Sequence, residues 1–364
     1  MTPRERLMKT LSHQEPDRVP LQFHCGDAAL RDMIEKADLA PEVKHRFLNG
    51  DMDILTFRAR KNDAVFAPYH LKTPKEATID DWGVGRLRHK ASGIYLLTQY
   101  IYHPLKDVVD VEELEDYPWP KMTEPVRWRH LKAAVENSHA VGRPAIGQMS
   151  QTIAELAYGL CPMERLFINF YENPRFVKKL FDKITELRCY QARVFAEAGV
   201  DVLRIGDDLA SQQNLLVGLD TYRQWIKPCH AKVIAAAHEV RPDIPILYHS
   251  DGNIEVLIPE LIEIGVNAIN PVQPECIDPV MVKKRWGNQI TIWGAASTQR
   301  TIAFGTQVDV DAEIAARTEQ IAPGGGYVVN FINVAWSPKA RENILRYLIG
   351  MQENRVYCSG QIGG

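Results

Sequence analysis

VDVLRIG (200–206), IPILYHS (244–250), VNAINPV (266–272) and QITIWGA (289–295) are the stretches that decide the fold. Each is a short, mostly apolar run, and the segments between them carry helical patterns. In LDTYRQWIKPCHAKVIAAAHEV (219–240), Tyr222, Trp225, Ile226, Val233, Ile234 and Ala237 recur at helical spacing. IEVLIPELIEIG (254–265) ends in Gly265, a residue suited to a helix C-terminus. Strands apolar on both faces and separated by helices describe a parallel sheet covered on both sides. Working outward, RVPLQF (18–23), MDILTF (52–57), PAIGQM (144–149) and GYVVNFI (326–332) have the same character. The total of eight is the strand number of an α/β fold closed into a (β/α)8 TIM barrel. Residues 58–143, rich in Pro, Trp and Tyr, exceed the needs of one βα unit. An insertion forming a lid over one mouth of the barrel is therefore expected, within a single domain of residues 1–364. A doubly wound open sheet would need a glycine-rich fingerprint after a strand, whereas PGGGY (323–327) precedes its strand and reads as a turn.

Composition narrows the function classes. The chain has 364 residues, 45% hydrophobic and 24% charged, which fits a globular protein and not a disordered one. With 43 basic and 46 acidic residues the net charge is −3, so no basic field points to nucleic acid. No apolar run is long enough for a membrane helix, and the opening MTPRERLMKTLSHQEPDR is polar where a signal peptide needs an apolar core. Six cysteines lie far apart in a chain large enough to bury a core without disulfides, so a reduced, cytoplasmic protein is expected. Thr2-Pro3 is a sensible helix start, and Arg4, Arg6 and Lys9 beyond it are expected to face solvent or the outer wall of the barrel.

Barrel enzymes collect their chemistry at the C-terminal ends of the strands. Polar residues just after each apolar run are therefore candidates. They include His24, Gln148, Glu155, Tyr158, Asp208, Gln212, Asn330 and Asn333. Asp207 and Asp208 are consecutive at a strand end, so at most one enters the mouth. Asp208 is the expected one, with Gln212 one helical turn on, and Asp207 is expected to brace a loop or helix start. The sharpest local feature is YHSDGN (248–253). His249 and Asp251 can aim at the same volume, and Cys276 sits on the exit loop of the next strand. Imidazole, carboxylate and thiolate are all zinc ligands, and three of them leave the open position that a catalytic zinc needs; the alternative is a His249 that hydrogen-bonds Asp251 or backbone and binds nothing. Lid aromatics Phe66, Tyr69, Trp82, Tyr100 and Tyr102 read first as packing and second as pocket lining.

A collinear series of motifs carries a family resemblance. TPRERLMKTLSHQEPDRVP (2–20), GDDLASQQ (206–213), YHSDGNI (248–254), LIEIGVNAINPVQPE (261–275), WGAASTQ (293–299), FGT (304–306), PGGGYVV (323–329) and ENI (342–344) together resemble the uroporphyrinogen decarboxylase superfamily. That family is a (β/α) barrel, which agrees with the strand count. The resemblance implies a catalytic Asp53, in MDIL, where true decarboxylases have their Asp. It also implies departures: LQFHCGD after the first strand lacks the arginine pair that holds porphyrin carboxylates, Glu155 falls in the place of the family Tyr, and Asn333 in that of the family His. A substrate with eight carboxylates needs cationic partners, so porphyrinogen decarboxylation is disfavoured.

The other branch that the chain resembles moves methyl groups to or from the cobalt of a corrinoid protein. Its thiol-using members bind zinc through His-x-Cys and a distant Cys. Here Asp251 stands where that Cys would be, and Asn330 or Asn333 lies in the region of the distant one. Such an oxygen-richer site suits an ether or amine leaving group better than a thiol. The resemblance thus implies a methyltransferase taking a methyl group from a small methylated donor, an aryl methyl ether or methylamine. Asp208, Glu155 and Asp53 would be catalytic, and zinc would sit on His249, Asp251 and Cys276. No D-x-H-x-x-G corrinoid signature is present, so the corrinoid would be carried by a separate partner protein. A lyase acting on a small non-porphyrin carboxylate is the runner-up, and a binding protein that lost catalysis is the third reading. A homodimer is the default expectation for such an enzyme.

Overall fold

The computed structural model describes residues 1–60, 63–66, 77–91, 95–332, 334 and 336–353. Eight parallel strands form the barrel, and the eight apolar runs supply them: β1 (Leu21–Gln22), β2 (Asp53–Leu55), β6 (Ala145–Gln148), β7 (Val202–Gly206), β8 (Ile246–His249), β9 (Ala268–Asn270), β10 (Thr291–Trp293) and β11 (Tyr327–Asn330). Their order is β1-β11-β10-β9-β8-β7-β6-β2. At the seam between β1 and β2, Asp51 donates its N–H to Leu21 O and accepts from Leu21 N–H, each at 2.9 Å. Arg46, 3.1 Å from the same carboxylate, neutralises it where it is buried.

Between β2 and β6 the chain adds a three-stranded antiparallel sheet, β3 (Thr78–Ile79), β4 (Gly85–Ala91) and β5 (Tyr95–Tyr102). Phe66, Trp82 and Tyr117 are buried in this segment, and Arg127 pairs with Asp81. Trp82 lies 4.9 Å from the Arg188 guanidinium of the long helix Pro174–Ala198, which ties the segment to the barrel wall. Packing thus uses Phe66 and Trp82, as composition suggests; Tyr69 lies outside the described residues.

Strand periodicity explains the interior. Residues two apart share a face, and Met52, Ile146, Val202, Leu247, Ala268, Trp293 and Val328 form an apolar layer at the lower end of the lumen. Leu7 and Leu11, from the helix Pro3–Leu11, close that layer from below. Thr2 caps this helix in a reciprocal capping box with Glu5. The helix is a plug and not an outer decoration, which corrects the expectation for Arg6, while Arg4 is exposed as expected. Arg6 is only 2% exposed and forms a two-pronged pair with Asp17 (2.6 and 2.8 Å), while Arg4 reaches Asp201 at 2.7 Å. The hydrophobic stripe that has to enter the barrel bottom carries Arg6 in with it.

Asp53 is a second correction. It is the first residue of β2, paired in register with Ala145 at the start of β6. That places it at the N-terminal end of the barrel, about 10 Å of strand below the mouth. Its carboxylate is 3.0 Å from Arg143, whose guanidinium also gathers the carbonyls of Asn49, Gly50 and Met52. Asp53 therefore holds a loop together at the end of the barrel where catalysis does not occur.

Truncating the plug tests its role. Leu7→Ala should destabilise the protein by about 2–4 kcal/mol, because Leu7 is fully buried and the apolar layer of strand residues it packs with cannot collapse onto the cavity. Urea unfolding would measure this; a loss below about 1 kcal/mol would show that the barrel bottom closes without the helix.

Candidate functional site

One step above the apolar layer the same alternation places polar side chains in the lumen. Ile146 is followed by Gln148, Val202 by Arg204, Leu247 by His249, Ala268 by Asn270 and Val328 by Asn330. Asn270 is the hub of this ring. Its amide nitrogen donates to Trp293 O (2.6 Å) and to Asn330 Oδ1 (3.1 Å), which fixes the orientation of the carboxamide. Its Oδ1 therefore faces His249 Nδ1 at 2.7 Å and can only accept, so Nδ1 carries the proton. Asn330 donates onward to Gln22 O (2.9 Å) on β1.

This leaves His249 Nε2 with its lone pair, directed toward Asp208 Oδ1 at 3.7 Å. That is the tautomer a metal-binding imidazole requires, held by a hydrogen bond at the other nitrogen. Burial, followed by the nearby Arg204 charge, lowers the affinity of His249 for a proton. Asp208, His249 and Asp251 offer ligand atoms all within 4.8 Å of one another. The donor set of one neutral imidazole and two carboxylates is compatible with zinc or another borderline-to-hard divalent ion. Asp251 N–H donates to Asp208 Oδ1 (2.9 Å), drawing the two loops together. Gly252 makes that approach possible: its φ is +83°, and a Cβ there would lie 2.4 Å from Ser211 O and 2.5 Å from Ala210 O. After β9 and β10, Val272 and Ala295 also have positive φ (51° and 64°), so strained backbone borders the mouth.

The consecutive acids separate as strand geometry demands. Asp207 is fully buried and braces a helix start: it accepts from the N–H groups of Ile153 and Glu155 at 3.0 Å and meets His230 Nε2 at 2.7 Å. It is thus a cap for the helix Ala154–Leu160 supplied from a neighbouring strand. Asp208 stands in the mouth. Glu155, at the start of that helix, accepts from Gln151 (3.0 Å), Tyr100 OH (3.3 Å) and the Asp208 N–H (3.3 Å). Burial, with the charges of Asp208 and Asp207 adding to it, pushes its carboxyl up to about 7.

The remaining expected residues distribute as follows. Gln148 joins the lumen ring and accepts from Arg204 at 3.3 Å. Buried Tyr158 reaches the carbonyl of Asp208 (3.4 Å), and Gln212 spans the rim to Gln299 (2.8 Å). His24 is exposed after β1. Asn333 lies outside the described residues. Cys276 is not in the three-residue cluster; its thiol lies 3.8 Å from Gln273 Oε1, and burial raises its pKa. Asp208 takes the third place expected for Cys276: the Asp251 N–H bonds the Asp208 carboxylate directly, whereas the β9 exit loop meets the β8 loop through Gln273, which accepts from the Gly252 N–H at 2.7 Å and leaves the Cys276 thiol outside the cluster. Sequence reasoning missed Arg204 by looking after the strands and not within them. Its signal was legible all the same, as a lone charge inside VLRIG.

With this geometry in view, comparisons with known proteins fix the family. A model of uroporphyrinogen decarboxylase (URO-D) matches residues 2–332. The chain belongs to the uroporphyrinogen decarboxylase family. Among curated relatives, the methylcobamide:CoM methyltransferase MtbA of Methanosarcina mazei is 25% identical over 85% of this chain and 87% of its own length. MtbA of Methanosarcina acetivorans is 25% identical over 74% of this chain and 76% of its own. The uroporphyrinogen decarboxylase of Synechocystis is 23% identical over 44% and 43%. A solved methyltransferase from Methanosarcina mazei superposes with a TM-score of 0.64, covering 98% of this chain and all of the other at 17% identity, which establishes the barrel. The relatives matched over most of their own length are named methyltransferases. Among the described residues, no helix is long and apolar enough to cross a membrane.

The raised Glu155 carboxyl has a stability consequence. Between its ordinary value of 4.5 and about 7, the folded protein binds more protons than the unfolded one, so this group's contribution falls as pH rises through that window. Glu155→Gln should therefore gain about 1–3 kcal/mol relative to wild type at pH 8 and little at pH 5. Denaturant unfolding at the two pH values would check this, and an equal effect at both would show that Glu155 ionises normally.

Proposed function

We propose that this protein transfers a methyl group from a small methylated donor, of the aryl methyl ether or methylamine type, to the cobalt of a corrinoid carried by a separate protein. The observation that carries the reading is the Asp208–His249–Asp251 cluster at the barrel mouth, in a chain whose near-full-length relatives are named for methylcobamide chemistry. The oxygen-rich set separates the chain from thiol activation, since it offers hard donors where a thiolate-handling site would offer sulfur.

In the reaction the electron pair of reduced cobalt forms the new cobalt–carbon bond as the methyl C–O or C–N bond breaks. The pair from the broken bond remains on the leaving oxygen or nitrogen, whose charge must be neutralised. Zinc bound by His249, Asp208 and Asp251 would supply Lewis-acid charge at that atom. The other tasks fall to the chain itself. Asn270 holds the imidazole in its ligating tautomer. Glu155, poised to exchange a proton near neutral pH, stands one hydrogen bond from the Asp208 backbone and serves as the proton source beside the cluster. Asp207, through its cap on the same helix, positions Glu155. Tyr158 and Gln148 line the approach, and Gln212 spans the rim where the corrinoid protein would arrive.

Metal analysis of freshly purified protein, followed by a donor screen with reduced corrinoid, tests this. Zinc should be present, and at least one ether or amine donor should consume the reduced-cobalt absorbance. His249→Ala should lose both zinc and transfer, Cys276→Ser should keep both, and Asp208→Asn should slow transfer by about 100-fold or more. Absence of zinc, with none gained on addition, removes the metal from the reading and leaves Glu155 and Asp208 as acids. Release of carbon dioxide from a small carboxylate, with no donor methylating the corrinoid, would replace methyl transfer with lyase chemistry.

A further inference from the structure

We infer that Arg204 anchors an anionic group of the substrate, so that the molecule taken into the barrel is a small methyl donor bearing a carboxylate. The inference rests on the methyl-transfer reading for what is donated, and on geometry for the anion.

Arg204 is the middle residue of β7, between Leu203 and Ile205, which are fully buried in the outer core. Its own side chain points the other way, into the lumen. A guanidinium has five N–H donors. The partners found for Arg204 are Gln148 Oε1 and Asn270 Oδ1, both at 3.3 Å, both neutral, and both long for an N–H···O bond. No carboxylate oxygen lies within 4.0 Å of it among the described residues. Arginines that are fully buried in the protein are treated differently. Arg6 has Asp17, Arg127 has Asp81, and Arg188 spends its donors on the carbonyls of Ser150, Gln151 and Thr152 and on Gln191 Oε1. Arg204 is a part-buried cation in the lumen with no carboxylate in contact; Asp251 and Asp208 act on it only through space.

The ring around it gives the direction of the vacant donors. Arg204 and His249 share one acceptor, Asn270 Oδ1, so the guanidinium flanks the Nδ1 edge of the imidazole. Asp208 and Asp251 cluster at the Nε2 edge. Opposite edges of one imidazole therefore face opposite charges. A compact molecule with its carboxylate on Arg204 and its methyl-bearing atom beside the cluster spans that arrangement, and a planar carboxylate matches the guanidinium fork.

Titration calorimetry on the full chain would compare ortho-, meta- and para-methoxybenzoate with the isosteric methoxybenzamides. At least one benzoate should bind the wild type about tenfold or more tightly than its amide, as expected when a charge-assisted bond replaces a neutral one. Arg204→Gln should equalise the two, and Arg204→Lys should keep part of the preference. The melting temperature of Arg204→Gln without ligand should stay close to that of wild type, since no contacting carboxylate is left unpaired and the glutamine keeps polar partners in Gln148 and Asn270. No carboxylate preference in the wild type, a preference that survives in Arg204→Gln, or a drop in melting temperature with both affinities falling together would overturn the inference. An Arg204-dependent preference, combined with failure of every bound benzoate to methylate the corrinoid, would uphold the anion site and defeat the methyl-transfer reading.

Discussion

The carboxamide of Asn270 is the interaction on which the site depends. It sits on β9 and bonds to β7 through Arg204, to β8 through His249, to β10 through the Trp293 carbonyl and to β11 through Asn330. Two donors and one two-lone-pair acceptor are all engaged, so the amide has a single satisfied orientation. That orientation dictates which nitrogen of His249 is protonated and leaves the other available at the mouth. A buried polar group in this setting is either fully bonded or costly, which is why the ring is rigid where a chemical site needs it to be.

Below that ring the barrel is apolar, and above it the charges gather. The apolar layer of Ile146, Val202, Leu247, Ala268, Trp293 and Val328, sealed by Leu7 and Leu11, keeps water from reaching the ring from underneath. Water exclusion strengthens every electrostatic interaction above it. The acids at the mouth then diverge by environment. Asp207 is saturated by backbone N–H groups and His230, while Glu155, a short distance away, is pushed toward neutrality by burial and by its acidic neighbours. Similar carboxyl groups thus acquire different properties, one bracing a helix start, the other held nearer its neutral form.

Within its family the chain departs from porphyrin chemistry in charge and place. Its lumen cation is Arg204 on β7, and the β1 exit offers His24 and Cys25 instead of an arginine pair. The Asp of MDIL, expected at the catalytic end from the resemblance, is used at the opposite end against Arg143. A motif carried across a family keeps its sequence position more readily than its job, because the job depends on which residues the barrel places around it.

The sequence by itself determined the barrel. Eight apolar runs at βα spacing leave a parallel closed sheet as the economical solution, and strand alternation alone separated Asp207 from Asp208. It also marked His249 and Asp251, since two residues apart at a strand end is a local relation. Tertiary structure decided what no local pattern contains. The partner of the His249–Asp251 pair is Asp208 and not Cys276, because the third group comes from whichever neighbouring loop packs closest. The helix Pro3–Leu11 plugs the barrel and buries Arg6, although its composition suits an outer face. Lumen residues such as Arg204 and Asn270 acquire meaning only when several strands close into a ring. A single strand shows which face a side chain is on, and closure decides what that face meets.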